Sequence, residues 1–172
     1  PFTPEESITS GYVRDEHPDA IINIVDATNL SRSLFFTTQL LELGVPVVVA
    51  LNKSDIGDKE NTKIDTELLS KKLGCPVIKT VSTSNKDAGL KEVVKAAETL
   101  KGKGQKAPYV QAEINLHDKK AVDVEDRKRF AFVNEIVKAV ETRQIISKES
   151  TAQDKVDRVL TNKIAGIIIF AA

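Results

Sequence analysis

Three short apolar runs, each closed by a polar cluster, organise the first half of the chain. Ile21-Ile22-Asn23-Ile24-Val25 stops at Asp26-Ala27-Thr28-Asn29. Val45-Pro46-Val47-Val48-Val49-Ala50-Leu51 stops at Asn52-Lys53-Ser54-Asp55. Pro76-Val77-Ile78-Lys79-Thr80-Val81 stops at Ser82-Thr83-Ser84-Asn85. Runs of this length, rich in β-branched residues, predict strands buried on both faces. The stretches between them carry helical spacing. Thr3 and Pro4 suit the start of a helix over about 4–15. Asn29 can cap a helix whose buried face holds Leu30, Leu34, Phe35, Phe36 and Leu41 and which ends at Gly44. Asp65 or Thr66 opens a helix near 65–73, stopped by Gly74, and a further helix covers about 87–101. Strand and helix alternating at this spacing predict a parallel sheet with crossover helices.

The pattern changes after residue 101. Lys101-Gly102-Lys103-Gly104-Gln105-Lys106 reads as a flexible, solvated linker, and 109–116 as an edge strand. Phe130, Phe132, Val133, Ile136, Val137 and Val140 form a helical stripe over about 124–143, and a second helix is expected over 151–160. Ile164 to Ala172 is wholly apolar but only nine residues long, against roughly 20 for a membrane span. It reads either as a buried terminal strand or helix end or, the reading preferred because nothing polar closes the segment, as the opening of a spanning helix that is cut short. The fold expected is therefore α/β: a partial, P-loop-GTPase-like parallel sheet with flanking helices, followed by a small helical domain. The divisions are 1–104, 105–163 and 164–172.

Composition narrows the function. Lys plus Arg and Asp plus Glu are both 25, a formal charge of zero, which removes the global electrostatic case for a nucleic-acid partner. Cys75 is the single cysteine, so no internal disulfide framework exists; a lone cysteine at a strand start reads as packing. His17 and His117 have no Cys or His neighbour at metal-binding spacing. The chain lacks methionine and opens without a signal peptide.

The candidate chemistry lies at the carboxyl ends of the strands, where open parallel sheets bind ligands. Asn-Lys-x-Asp directly after a buried strand has the form of a guanine-recognition motif. An ionised Asp55 offers two acceptors in a fork that matches the adjacent N1–H and N2–H of guanine. Adenine would leave one of those oxygens unpaired, a penalty on the order of several kcal/mol. Lys53 can lay its stem across the base. Asn52 can tie the base to a neighbouring loop, and Ser82 and Thr83 stand where backbone N–H groups can reach the base O6. The same four letters also suit an ordinary strand-to-helix turn. A phosphate loop, Gly-x-x-x-x-Gly-Lys-Ser/Thr, and its Mg²⁺ ligands are missing. The residues given can select a base but not hold a triphosphate, and no hydrolysis by this polypeptide alone is expected.

Ala20 to Leu30, Thr38 to Asp55, Leu68 to Pro76, Arg129 to Val137 and Asp154 to Thr161 together resemble the ferrous iron transport protein B (FeoB) family. The resemblance implies a cytosolic GTPase domain, a helical domain resembling a nucleotide-dissociation inhibitor, and a polytopic membrane domain that passes Fe²⁺. Asn52, Lys53 and Asp55 would be its base-specificity motif and Val81-Ser82-Thr83 its last nucleotide loop. GTP or GDP is the implied ligand, with Mg²⁺ expected only in the complete domain. The implied partner is the membrane domain of the same parent at the cytoplasmic face of a bacterial inner membrane; homo-oligomerisation is left open. The phosphate loop, first switch threonine and Asp-x-Pro-Gly motif of the family would precede Pro1, so catalysis does not carry over. A non-enzymatic α/β interaction module without nucleotide binding is the alternative; selective binding of GDP over adenosine would separate the two.

Overall fold

Pro46 has no backbone N–H to give a ladder, and the central strand accordingly begins one residue after it. A computed structural model describes residues 4–54, 62–82, 89–115 and 118–143. Its elements are α1 (Pro4–Glu16), β1 (Ile21–Asp26), α2 (Leu30–Glu42), β2 (Val47–Asn52), β3 (Thr62–Ile64), α3 (Thr66–Leu73), β4 (Val77–Lys79), α4 (Leu90–Leu100), α5 (Lys119–Val140) and β5 (Glu141–Arg143). A single 3-10 turn, Ala27–Asn29, joins β1 to α2. The main sheet has the order β1-β2-β4. Both pairings are parallel, with Ile21 opposite Val47, Asp26 opposite Asn52, and Val49 opposite Val77. Pro46 keeps its carbonyl and accepts from Ile21 N–H at 2.7 Å.

β2 is buried on both faces, as its unbroken apolar run predicts. Val47, Val49 and Leu51 face a cluster with Leu34, Leu41, Leu69 and Leu73 of α2 and α3. Val48 and Ala50 face a smaller cluster built on Val93 of α4. β1 is a sheet edge, and its outer residues Ile22 and Ile24 are exposed, Ile24 by 70%. On the inner side, buried Asn23 accepts a 2.7 Å bond from the Thr37 hydroxyl of α2, which removes the cost of a polar group inside a strand.

Helix ends follow local chemistry. Asp65 caps α3 by accepting from Leu68 N–H at 2.9 Å, and Gly74 closes it at φ 71°. Asn29 occupies the cap position of α2 but makes no side-chain cap bond. That role has moved upstream: the Asp26 carboxylate accepts from Thr28 N–H and caps the 3-10 turn instead. α5 begins at Lys119, five residues before the expected start near 124, because the Asp118 side chain accepts from the amides of Lys120 and Ala121.

Three expectations are corrected. Residues 109–115 form no strand. The second sheet is instead the antiparallel pair β3–β5, with Ile64 opposite Glu141, so the chain at 141–143 leaves the helix in which the stripe was placed. The 101–106 stretch is also tied down. Gln105 N–H donates to the Gly44 carbonyl, and the Gln105 side-chain amide donates to the Gly74 carbonyl. It thereby satisfies two carbonyls left at the glycine turns ending α2 and α3.

α5 packs on α2 and α3, and its Val133, Ile136 and Val140 lie in the same buried cluster as β2. Arg129, only 1% exposed, reaches from α5 to Glu42 and to the Thr38 hydroxyl of α2. It also donates to the Gln111 side-chain oxygen at 2.9 Å, and its guanidinium lies 4.8 Å from the Tyr109 ring centroid. Glu42 additionally accepts from Gln111 N–H. Cys75 is buried, and desolvation pushes its thiol up to about 12; it stays protonated and serves as packing. The second helix near 151–160, the apolar end 164–172 and His117 lie outside the described residues.

Candidate functional site

Parallel register brings the ends of β1 and β2 side by side, so Asp26 and Asn52 are direct neighbours. Lys53, the next residue, holds φ 59°. Its ammonium donates to Asp26 Oδ2 at 2.7 Å. The other oxygen of Asp26 accepts from Thr28 N–H at 2.9 Å and from the Thr28 hydroxyl at 2.7 Å. The Lys53 hydrogen bond is the main reason why the Asp26 carboxyl lies below its ordinary range; the Thr28 bonds add to it and partial burial opposes it.

Asn52 joins this cluster to the loop after β4. Its amide nitrogen donates to the Ser82 hydroxyl and its oxygen accepts from Ser82 N–H, both at 3.1 Å. Ser54 donates to the Thr80 carbonyl at 3.3 Å. The result is a row along the carboxyl edge of the sheet: Thr28, Asp26, Lys53, Asn52, Ser82. A shallow hollow of about 370 Å³ adjoins the row beside β1, lined by Asp26, Asn29, Arg32 and Ser33 among others.

Of the residues singled out from sequence, Asn52, Lys53, Val81 and Ser82 lie on or beside this row. Asp55 and Thr83 lie outside the described residues. The Ser82 N–H, expected to face a base oxygen, is turned onto Asn52. An Asn side chain has donor and acceptor capacity to spare after this reciprocal pair, one N–H and one lone pair. Sequence reasoning assigned Asp26 to a polar cluster but gave it no role; the signal available was its place at the end of an apolar run parallel to the one before Asn52. Among the described residues no group of three or more metal-ligating side chains occurs.

A parallel sheet between helices, with its polar residues gathered beyond the strand carboxyl ends, defines an α/β protein of the G-domain type. The sequence profile described as "Ferrous iron transport protein B" matches residues 1–97, more than half of the chain, and the chain belongs to that family. Over 79 residues it is 52% identical to the Fe(2+) transporter FeoB of Escherichia coli (strain K12) and 51% to that of Salmonella typhimurium (strain LT2). The matched stretch is 46% of this chain and 10% of the E. coli protein, so the chain spans about a tenth of the curated relatives' length. Among solved structures, the cytosolic domain of L. pneumophila FeoB has a TM-score of 0.68 at 25% identity, covering 82% of this chain and 75% of that one. A GDP-bound mutant of S. thermophilus NFeoB has a TM-score of 0.65 at 25% identity, covering 83% and 76%. The FeoB G-domain from Methanococcus jannaschii is 38% identical with a TM-score of 0.53, covering 57% and 62%.

Proposed function

We propose that this chain is the guanine-reading part of the cytosolic region of a ferrous iron transporter. The observation that carries this reading is the reciprocal Asn52–Ser82 bond beside the Lys53–Asp26 pair, at the carboxyl edge of a parallel sheet and directly before Asp55. The relatives support it: curated family members are Fe(2+) transporters, a mutant of S. thermophilus NFeoB is bound to GDP, and S. thermophilus NFeoB is bound to mGMPPNP.

In this reading Asp55 pairs with the N1–H and N2–H of guanine through charge-assisted bonds. The Lys53 stem lies along the base, and Asn52 keeps the Val81-Ser82-Thr83 loop at a fixed distance from it. With Ser82 N–H committed to Asn52, the donor to the base O6 falls to Thr83. Residues 1–104 are the C-terminal part of the G domain, 105–163 the helical domain, and 164–172 the start of a spanning helix. The membrane domain of the parent protein is the partner, at the cytoplasmic face of a bacterial inner membrane. GTP or GDP is the ligand. The sequence contains no Gly-x-x-x-x-Gly-Lys-Ser/Thr phosphate loop, and in this reading the chain reads the base without hydrolysing GTP alone.

Titration with GDP and with ADP, followed by NMR at millimolar nucleotide, tests the proposal. GDP is expected to bind more tightly than ADP, and Asp55→Ala is expected to remove at least about tenfold of that preference, as loss of a base-reading hydrogen-bond pair does. Equal binding of both nucleotides, unchanged in Asp55→Ala, rejects it.

A further inference from the structure

Lys53 carries a long, flexible stem, and a stem that is to lie along a base needs its charged end held. The residue that holds it comes from a different strand. Asp26 ends β1, in register with Asn52, and gives one carboxylate oxygen to the Lys53 ammonium. Its second oxygen is fixed by two bonds from Thr28, at 2.9 and 2.7 Å. Its own N–H donates to the Ser33 hydroxyl of α2 at 3.3 Å. The carboxylate is therefore oriented by its own turn before it meets the lysine. The positive φ of Lys53 leaves the extended path of β2 in the same place, and the reach back to β1 follows. An ordinary exposed ion pair joins two free side chains and is worth little; here one partner is fixed in advance.

We infer that Asp26 is a positioning residue for base recognition: it anchors the Lys53 ammonium so that the lysine stem is set for the purine plane. This rests on the guanine reading above. Asp26 does not itself touch the base. Its contribution runs through Lys53, and its carboxylate charge, not only its capping oxygen, is what the role requires.

A double-mutant cycle tests this, using GDP and ADP on the whole chain. Asp26→Asn keeps a side-chain oxygen for Thr28 and removes the anion. Lys53→Met keeps an apolar stem and removes the ammonium. Asp26→Asn is expected to weaken GDP about tenfold in the native background and less than about twofold in the Lys53→Met background, a coupling of ordinary size for groups in contact. A merely structural Asp26 would give the same loss in both backgrounds, and that result overturns the inference. So does an unchanged affinity in Asp26→Asn. Asp55→Ala, run alongside, separates the two levels. If Asp55→Ala removes the GDP preference while the cycle shows no coupling, only the role of Asp26 falls. If no preference for GDP exists at all, the guanine reading falls and takes this one with it.

Discussion

Lys53 adopts a left-handed backbone angle, φ 59°, that costs a side-chain-bearing residue about 1–2 kcal/mol. Its bond to Asp26 accompanies that strain, and the pair has a testable pH signature. The folded carboxyl of Asp26 is held below its ordinary value, first by the Lys53 hydrogen bond. A group with a depressed folded pKa stabilises above its unfolded value, and the contribution is lost as pH falls through the folded value. The pair thus persists through neutral and mildly acidic solution and opens only below the usual carboxylate range. A ¹³C NMR titration of the Asp26 carboxyl is expected to give a midpoint below 3.8, the ordinary reference, and Lys53→Met is expected to move it upward. A midpoint unaffected by Lys53→Met would contradict the bond. The letters Asn52 and Lys53 were legible in the sequence because three motif residues follow a buried strand. The pairing of Lys53 with Asp26 was not, since it depends on the register between two strands. Ser82 was legible as a neighbour of the motif, but the direction of its N–H was not.

At the scale of elements, the three strands of the main sheet and the helices between them follow from hydrophobic runs and caps, and the sequence shows both. The start of α4 adds a constraint that no pattern reveals. Gly89 holds φ 80°, and a Cβ there would collide with the Lys79 carbonyl oxygen at the end of β4. Gly44 has a similar angle, φ 79°, with open space around it. Gly89→Ala is therefore expected to lower stability in urea by about 2–4 kcal/mol, strain and clash together, and Gly44→Ala by about 1 kcal/mol, strain alone. Equal losses would show that the close approach to Lys79 has no weight. The β3–β5 pair was illegible for a different reason. Each strand is three residues long, too short for a period, and the partners lie far apart in sequence. Asp118 as the cap of α5 was available to a reader who looked upstream of the apolar stripe.

On the scale of the whole molecule, the helix from the second half of the chain is bound to the sheet half by an apolar seam and by one buried cation. Arg129 links Glu42 and Thr38 of α2 to Gln111 and Tyr109 of the connecting segment. Removing only the arginine takes away the charged partner of Glu42, which is about one-fifth exposed, and leaves it the Gln111 N–H. Arg129→Met is expected to cost about 2–4 kcal/mol in urea, somewhat under the usual figure for breaking a fully buried pair. Arg129→Met with Glu42→Gln should recover part of that loss. If the double variant is no better than the single one, the charge is not the cause. Sequence patterning marked Val133, Ile136 and Val140 as one face. It did not show that the face is shared with β2, nor that an arginine lies within it, because a basic residue reads as solvated by default. The seam bears on how the polypeptide is divided at the bench. A cut in the stretch around Gly102 would not release two tidy pieces: the sheet side would be left with a raw greasy flank over Leu69 and Leu73, and clumping, not a smaller well-behaved protein, is the product to expect.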